Sequence, residues 1–185
     1  MTNLKPWVLT KQTGILKTPV FEVIHNFCLS PKDGLEKTFT CLRAPDWVNV
    51  IPITEDNQVI LVNQFRHGTG ELCLELPGGV NEPGQSPLDT AKRELMEETG
   101  YSAENFELLS SLRPNPALFA NTMHTFVARP AKKTGQTSFD ENEDIDLIMV
   151  PTDELKALIT TGRIDHALMV AAIGLFLAKE SLRPI

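Results

Sequence analysis

Apolar and polar positions alternate along this chain, and each break or change of period marks an element. Val20 to Leu29 (VFEVIHNFCL) is rich in β-branched and aromatic residues and reads as a strand. Ser30-Pro31-Lys32-Asp33-Gly34 gathers turn formers, and Leu35 to Leu42 then reads as the return strand of a hairpin. The residues ahead of it read as extended, and His25, set among apolar strand residues, as structural. Arg43-Ala44-Pro45-Asp46 interrupts the pattern. A boundary is expected there, with an N-terminal β-hairpin extension in residues 1–45 and the main domain in residues 46–185. Two strands follow, Trp47 to Ile53 (WVNVIPI) and Gln58 to Phe65 (QVILVNQF), joined by the acidic turn Thr54-Glu55-Asp56-Asn57. The unbroken apolar run Val59 to Val62 predicts a strand covered on both faces.

The period changes at Ser86. Ser86 to Ser102 (SPLDTAKRELMEETGYS) reads as a helix, with Ser86 as N-cap, Pro87 at the first helical position and Asp89 closing an S-x-x-D capping box. Gly100 is placed for the left-handed turn that ends it. Leu88, Ala91, Leu95 and Thr99 fall on one stripe and are expected to face a core. Further strands are predicted over Phe106 to Leu112, Thr122 to Arg129 and Ile145 to Val150. A helix from Glu154 to Thr160, capped by Thr152 or Asp153 and stopped by Gly162, precedes a longer apolar helix from Asp165 to Glu180. The expected fold class is α/β: a mixed sheet sandwiched between helices, with the helix that starts at Ser86 on one face.

Composition narrows the field. With 185 residues the chain can build a sizeable core, and 42% hydrophobic and 22% charged residues are ordinary for a soluble globular protein. A net charge of −7 without a basic stripe argues against nucleic acid as a partner. Cys28, Cys41 and Cys73 are scattered without C-x-x-C spacing, so neither a disulfide framework nor a zinc site is expected. The opening MTNLKPWVLTKQTG has no apolar signal core, and the apolar run from Ala167 to Ala178 is too short to span a bilayer. A cytoplasmic protein without membrane contact is expected.

The helix contains an electrostatic conflict. Glu94 and Glu98 are neighbours at i,i+4 with Glu97 beside them, and all three sit in the last two turns, where the helix dipole already disfavours negative charge. Arg93 reaches Glu97 at i+4 but cannot neutralise the cluster alone. A hard divalent cation with oxygen ligands, Mg²⁺ or Mn²⁺, would resolve the conflict; a solvated glutamate-rich face is the alternative.

The segment Gly79 to Tyr101 resembles the signature of the Nudix hydrolases, G-x5-E-x7-R-E-U-x-E-E-x-G-U. Gly79, Arg93, Glu94, Leu95, Glu97, Glu98 and Gly100 fall on its positions, and Tyr101 takes the last apolar place. Gln85 stands where the family has its first Glu. The resemblance covers residues from about 45 to 180 and implies the Nudix fold. It also implies metal ligation by Glu94 and Glu98, assisted by Glu97 and the Gly78 carbonyl, and a pairing of the residue at position 85 with Arg93.

Other segments are similar to the ADP-ribose pyrophosphatase and nucleoside diphosphate sugar branch of that family. Arg66, a short way before the box, matches a substrate-contacting arginine, and Trp47 is a further candidate for substrate contact. Pro116, fifteen residues beyond Tyr101, matches a proline that marks the ADP-ribose enzymes. The run Asp140-Glu141-Asn142-Glu143-Asp144-Ile145 resembles their catalytic loop. That likeness puts the base role on Glu141, with Glu97 counted in the catalytic set, and a metal-proximal role on Glu143. In this branch the N-terminal extension serves dimerisation, so a homodimer is expected.

The implied reaction is Mg²⁺-dependent hydrolysis of a nucleoside diphosphate sugar, ADP-ribose giving AMP and ribose 5-phosphate. GDP-mannose, a dinucleoside polyphosphate or a reduced nicotinamide dinucleotide are alternative substrates. A module that senses ADP-ribose without cleaving it is the alternative of a different class.

Overall fold

The computed structural model describes residues 4–139 and 144–182. The chain divides into two compact units, one of residues 1–45 with 113–122, the other of residues 46–112 with 123–185.

The first unit is an antiparallel sheet in the order β1 (Val8–Lys17), β2 (Glu22–Leu29), β3 (Glu36–Arg43). β2 and β3 are the expected hairpin, in register from Glu22↔Arg43 to Leu29↔Glu36. The extended leading segment is a third strand, paired with β2 from Val8↔Leu29 to Lys17↔Glu22. Residues 113–122 attach to β3: Leu42 N–H donates to the Leu118 carbonyl at 2.8 Å, and Ala120 N–H to the Leu42 carbonyl at 3.2 Å. Pro116 lies in a turn closed by Leu118 and Phe119 N–H groups donating to the Asn115 carbonyl at 3.0 and 2.7 Å.

The second unit is built on a seven-stranded mixed sheet. Its strands are β4 (Trp47–Thr54), β5 (Gln58–Arg66), β6 (Glu71–Glu75), β7 (Gly78–Val80), β8 (Tyr101–Leu112), β9 (Met123–Lys133) and β10 (Ile145–Pro151). The main path runs β10-β5-β4-β9-β8, with β6 on β5 and β7 on β4; β4 and β9 are parallel. The helices are α1 (Pro87–Thr99), α2 (Leu155–Thr160), entered through a 3₁₀ turn (Thr152–Glu154), and α3 (Ala167–Ser181).

Alternation along the strands builds two cores. On one face Val48 and Val50 of β4 and Phe126 and Ala128 of β9 pack with Ala91 and Leu95 of α1. On the other, Ile51 and Ile53 of β4 and Val127 of β9 pack with Leu155 of α2 and Ala172, Ile173 and Phe176 of α3. Each large apolar side chain so buried contributes about 1.5–3 kcal/mol before chain entropy is counted. Val59 to Val62 are wholly buried, as the unbroken apolar run predicts. Among the described residues no helix is long and apolar enough to cross a membrane.

Gly78 and Gly79 belong to β7 and pair with Asn49 and Val48 of β4. One local expectation needs correction. Thr152 does not cap α2: its hydroxyl donates to the Asn57 carbonyl at 2.8 Å, tying the 3₁₀ turn to the β4–β5 connection.

Candidate active site

α1 begins and ends as its sequence dictates. Ser86 Oγ accepts from Asp89 N–H at 3.1 Å, and Gly100 takes φ 73°, with its N–H donating to the Met96 carbonyl at 2.8 Å. This fixes the phase of the helix, so that Glu94 and Glu98 turn inward, at 8% and 2% exposure, while Glu97 stays on the rim. Burial of two carboxylates on one helix is costly unless they are held. Glu98 Oε2 accepts from the Gly78 N–H at 2.7 Å. Glu94 Oε1 lies 2.9 Å from Arg93 Nη2, and Glu97 Oε2 lies 2.7 Å from Arg93 Nη1. Burial lowers the pKa of Arg93, but the charge of Glu94 and the bond to Glu97 outweigh it and raise the pKa above the ordinary arginine value.

The glycines of β7 are required by this contact. A Cβ on Gly79 would lie 2.6 Å from Glu94 Cδ. One on Gly78 would lie 2.7 Å from Asn49 Cα and nearer still to the Val48 carbonyl oxygen. The backbone of β7 therefore lies directly between β4 and the carboxylates of α1.

A cleft of about 290 Å³ opens over these groups, lined by Glu82, Glu94, Glu97 and Glu98 together with Arg66, Arg93 and Ser138. Its carboxylates outnumber its guanidinium groups, so the lining is acidic. An adjoining pocket of about 270 Å³ is lined by Trp47, Val48, Asn49, Leu76, Met123, His166, Leu168 and Met169. The two share Arg66, Gly78, Gly79 and Val80.

Arg66, at the end of β5, is anchored by Glu75 at the end of β6. Its Nε and Nη2 both bond to Glu75 Oε2, the former at 3.0 Å. The Glu75 side chain is 1% exposed, and its Oε1 lies 2.8 Å from His166 Nδ1. Burial pushes the Glu75 carboxyl up, but the bonds to His166 and Arg66 and their charges hold it below the usual glutamate value. Burial likewise lowers the Arg66 pKa, and Glu75, with a smaller contribution from Glu98, raises it overall.

The fold thus brings Gly78, Glu94, Glu97, Glu98, Arg66 and Arg93 around one cleft and Trp47 into the adjoining pocket. Pro116 is in the other unit. Glu141 and Glu143 lie outside the described residues. The chain on either side of them is at the cleft: Ser138 lines it and donates its N–H to the Glu97 carbonyl at 2.8 Å, and Ile145 pairs with Gln64, which also lines it. Gln85 does not bond to Arg93. Its Oε1 accepts from Thr90 Oγ1 at 3.1 Å and its Nε2 donates to Glu82 at 3.4 Å, while Arg93 Nε is buried without a partner.

Sequence reasoning did not find the Glu75–His166 pair. Its members are 91 residues apart, and the expected start of the last helix at Asp165 hid His166, which is the extended N-cap residue of α3. Asn49, a buried amide against the Met123 and Met169 sulfurs, reads in the sequence only as one polar residue in an otherwise apolar strand.

Residues 44–173 match the NUDIX domain family. The chain is 36% identical over 143 residues to the methanol dehydrogenase activator of Bacillus methanolicus, covering 77% of each. It is 29% identical over 143 residues to the ADP-ribose pyrophosphatase of Bacillus subtilis (strain 168), again covering 77% of each. Among solved structures, a crystal structure of ADP compounds hydrolase superposes with a TM-score of 0.83 at 25% identity, covering 98% of this chain and 97% of that one.

Proposed function

This chain belongs to the Nudix domain family, as a hydrolase of the ADP-ribose and ADP-sugar pyrophosphatase type, and on that premise we propose that it cleaves ADP-ribose to AMP and ribose 5-phosphate with Mg²⁺ or Mn²⁺. The observation that carries this reading is the acidic cleft joined to an apolar pocket across Arg66, Gly78 and Gly79. A diphosphate is anionic, and Glu94, Glu97 and Glu98 repel it unless cations intervene.

The residues fit a hard divalent ion in the chemistry of their donors, which are carboxylate oxygens. Among the described residues no three His, Cys, Asp or Glu side chains form a ready-made cage. Mg²⁺ is usually held by one or two carboxylates plus substrate phosphates. Glu94 and Glu98, with Glu97 and the Gly78 carbonyl, would hold it and Glu143 would lie near it. Bound there, the ion screens the phosphoryl oxygens and lowers the pKa of an attacking water.

The protein groups divide the remaining work. Arg66 spends Nε and Nη2 on Glu75, which leaves Nη1 for a phosphate oxygen. Arg93 orients Glu94 and Glu97. Glu141 takes the proton of the attacking water, a role supported by the position of Ser138 and Ile145 on either side of its loop. Trp47 contacts substrate, and the sheet of the first unit, which exposes Val8, Leu9, Ile15 and Leu16, would serve a homodimer. The cytoplasm is the expected location.

The test is a Mg²⁺-dependent hydrolysis panel of ADP-ribose, GDP-mannose, UDP-glucose and diadenosine polyphosphates. Release of AMP and ribose 5-phosphate at the highest kcat/KM of the panel supports the proposal. Tight ADP-ribose binding without turnover of any compound refutes it in favour of a sensing module.

A further inference from the structure

Three side chains that line the cleft and the adjoining pocket converge on one buried carboxylate. Glu75 ends β6 and pairs with Val62 of β5, so Val62, Gln64 and Arg66 alternate onto the face that Glu75 shares. Its Oε2 accepts from Arg66 Nε at 3.0 Å, from Arg66 Nη2 and from Gln64 Nε2 at 3.5 Å. Its Oε1 lies 2.8 Å from His166 Nδ1. A carboxylate held ionised by its neighbours can only accept, so Nδ1 carries the hydrogen. Both oxygens are engaged and the anchor is buried, while the Arg66 and His166 side chains that it holds are partly exposed.

Cohesion of the fold does not call for this cluster. Desolvation of a buried ion pair offsets much of its attraction, and well-packed apolar residues join elements as well or better. Such residues already join the sheet to α3: Ile51 and Ile53 pack with Ala172, Ile173 and Phe176. His166 also forgoes the ordinary task of its position. It is the N-cap residue of α3, yet its side chain makes no capping bond and turns to Glu75 instead. What the carboxylate does accomplish is to set the plane of a long, partly exposed arginine side chain. Gln64 and Arg66 line the acidic cleft, and Arg66 and His166 line the adjoining pocket. A guanidinium ordered before substrate arrives spares binding the cost of ordering it.

We propose that Glu75 and His166 are positioning residues of the hydrolytic site: Glu75 fixes the Arg66 guanidinium for the diphosphate, and His166 holds Glu75 in the orientation that does so. The assignment rests on the hydrolase reading in taking a diphosphate as the group that Arg66 meets. His166 acts through its Nδ1 hydrogen and Glu75, without touching substrate. Removing either residue leaves Arg66 in place but free to sample other rotamers. The loss falls on KM more than on kcat, because the diphosphate carries its charge in the ground state as well as in the transition state.

The test measures kcat and KM on the compound of the hydrolysis panel with the highest kcat/KM, with Tm at neutral pH on the same preparations. Glu75→Gln and His166→Ala should each raise KM by on the order of ten-fold, with a smaller change in kcat. Asparagine places its amide N–H near the position of the imidazole Nδ1, and glutamine near that of Nε2. His166→Asn should therefore recover most of the loss and His166→Gln should not. Rescue by His166→Gln alone would show that Nε2 meets the substrate itself, and would overturn the positioning role. Because Glu75 acts through Arg66, Glu75→Gln in an Arg66→Ala background should change KM by less than about two-fold. If the Glu75 variants do not fold, the His166 series, at a partly exposed position, decides alone. Wild-type KM in folded Glu75→Gln and His166→Ala, or an equal loss from Glu75→Gln with and without Arg66, overturns the proposal and leaves the hydrolase reading intact. Calorimetric Kd values for ADP-ribose separate the two readings. Binding without turnover, weakened in His166→Ala and recovered in His166→Asn, refutes the hydrolase reading and leaves the positioning role standing. Neither binding nor turnover of any panel compound overturns both.

Discussion

Two adjacent glycines allow stability and activity to be separated by one methyl group each. Gly78→Ala would place its Cβ against backbone, 2.7 Å from Asn49 Cα and 3.0 Å from the Val48 carbonyl carbon. No rotamer relieves a backbone clash, so β7 must move away from β4. That gives up the pairing of Trp47, Val48 and Asn49 with Val80, Gly79 and Gly78, and the Gly78 N–H bond to buried Glu98. Overpacking costs about 1–3 kcal/mol. A lost hydrogen bond to a charged group costs about 1.5–3 kcal/mol. A total of about 3 kcal/mol lowers Tm by about 6–12 °C for a chain of this size. Gly79→Ala meets the far end of a side chain instead, with Cβ 2.6 Å from Glu94 Cδ and 2.9 Å from Oε2. Glu94 can swing away at the cost of its pair with Arg93, whose guanidinium keeps its bond to Glu97. Its Tm should fall less than that of Gly78→Ala, while kcat on ADP-ribose falls by orders of magnitude because the carboxylate leaves the cleft. Thermal unfolding and steady-state hydrolysis on the same preparations decide the matter. Wild-type Tm in Gly78→Ala, or wild-type kcat in Gly79→Ala, would refute the close packing from which both effects are derived.

Further outcomes are expected at the carboxylates. Glu98→Gln and Glu141→Gln should each lose orders of magnitude in kcat with an unchanged circular dichroism spectrum; near-normal kcat in Glu141→Gln would move the base to Glu143 or Glu97. Gln85→Glu should change activity only modestly, since the native amide is engaged with Thr90 and Glu82 and the new carboxylate would face Glu82; a large gain in kcat would show that the natural site is impaired. Glu75 should contribute to acid stability. Its folded pKa lies below the ordinary glutamate value, so its stabilising effect is present above that value and is lost as pH falls through the folded one. Urea unfolding of Glu75→Gln and wild type across acid pH should therefore show a gap that closes on acidification, and a pH-independent gap would contradict the linkage.

The parts of this molecule that are local in sequence were legible in it. The helix from Pro87 to Thr99 has its cap, its stop and its buried stripe within one stretch, so periodicity alone located the face that packs on the core. The hairpin of β2 and β3 and the buried run of β5 are likewise written in adjacent residues. What was missed depends on residues far apart. β1 pairs across a turn in a stretch with few buried positions, so alternation gave little signal. Glu75 meets His166 only because the ends of β6 and α3 are brought together by the sheet. Asn49 carried no motif, and the sulfur atoms around it belong to residues 74 and 120 positions away.

The acidic end of α1 is also less overloaded than its sequence alone implies. Arg93 divides its guanidinium between Glu94 and Glu97, and Glu98 is served by a backbone N–H from β7. The helix thus stays folded with two of its carboxylates buried. Each of these partners holds its carboxylate by a bond that a cation can replace or share, because an ionised carboxylate has about four lone-pair sites. The Gly78 N–H bond uses one such site on Glu98. On the proposed function, an ion held by Glu94 and Glu98 would have its coordination completed by substrate phosphate oxygens. The arrangement also gives β7 a double role. Its glycines let the sheet approach α1, and its N–H holds the most buried carboxylate of α1, so the strand before the helix is as much part of the site as the helix itself.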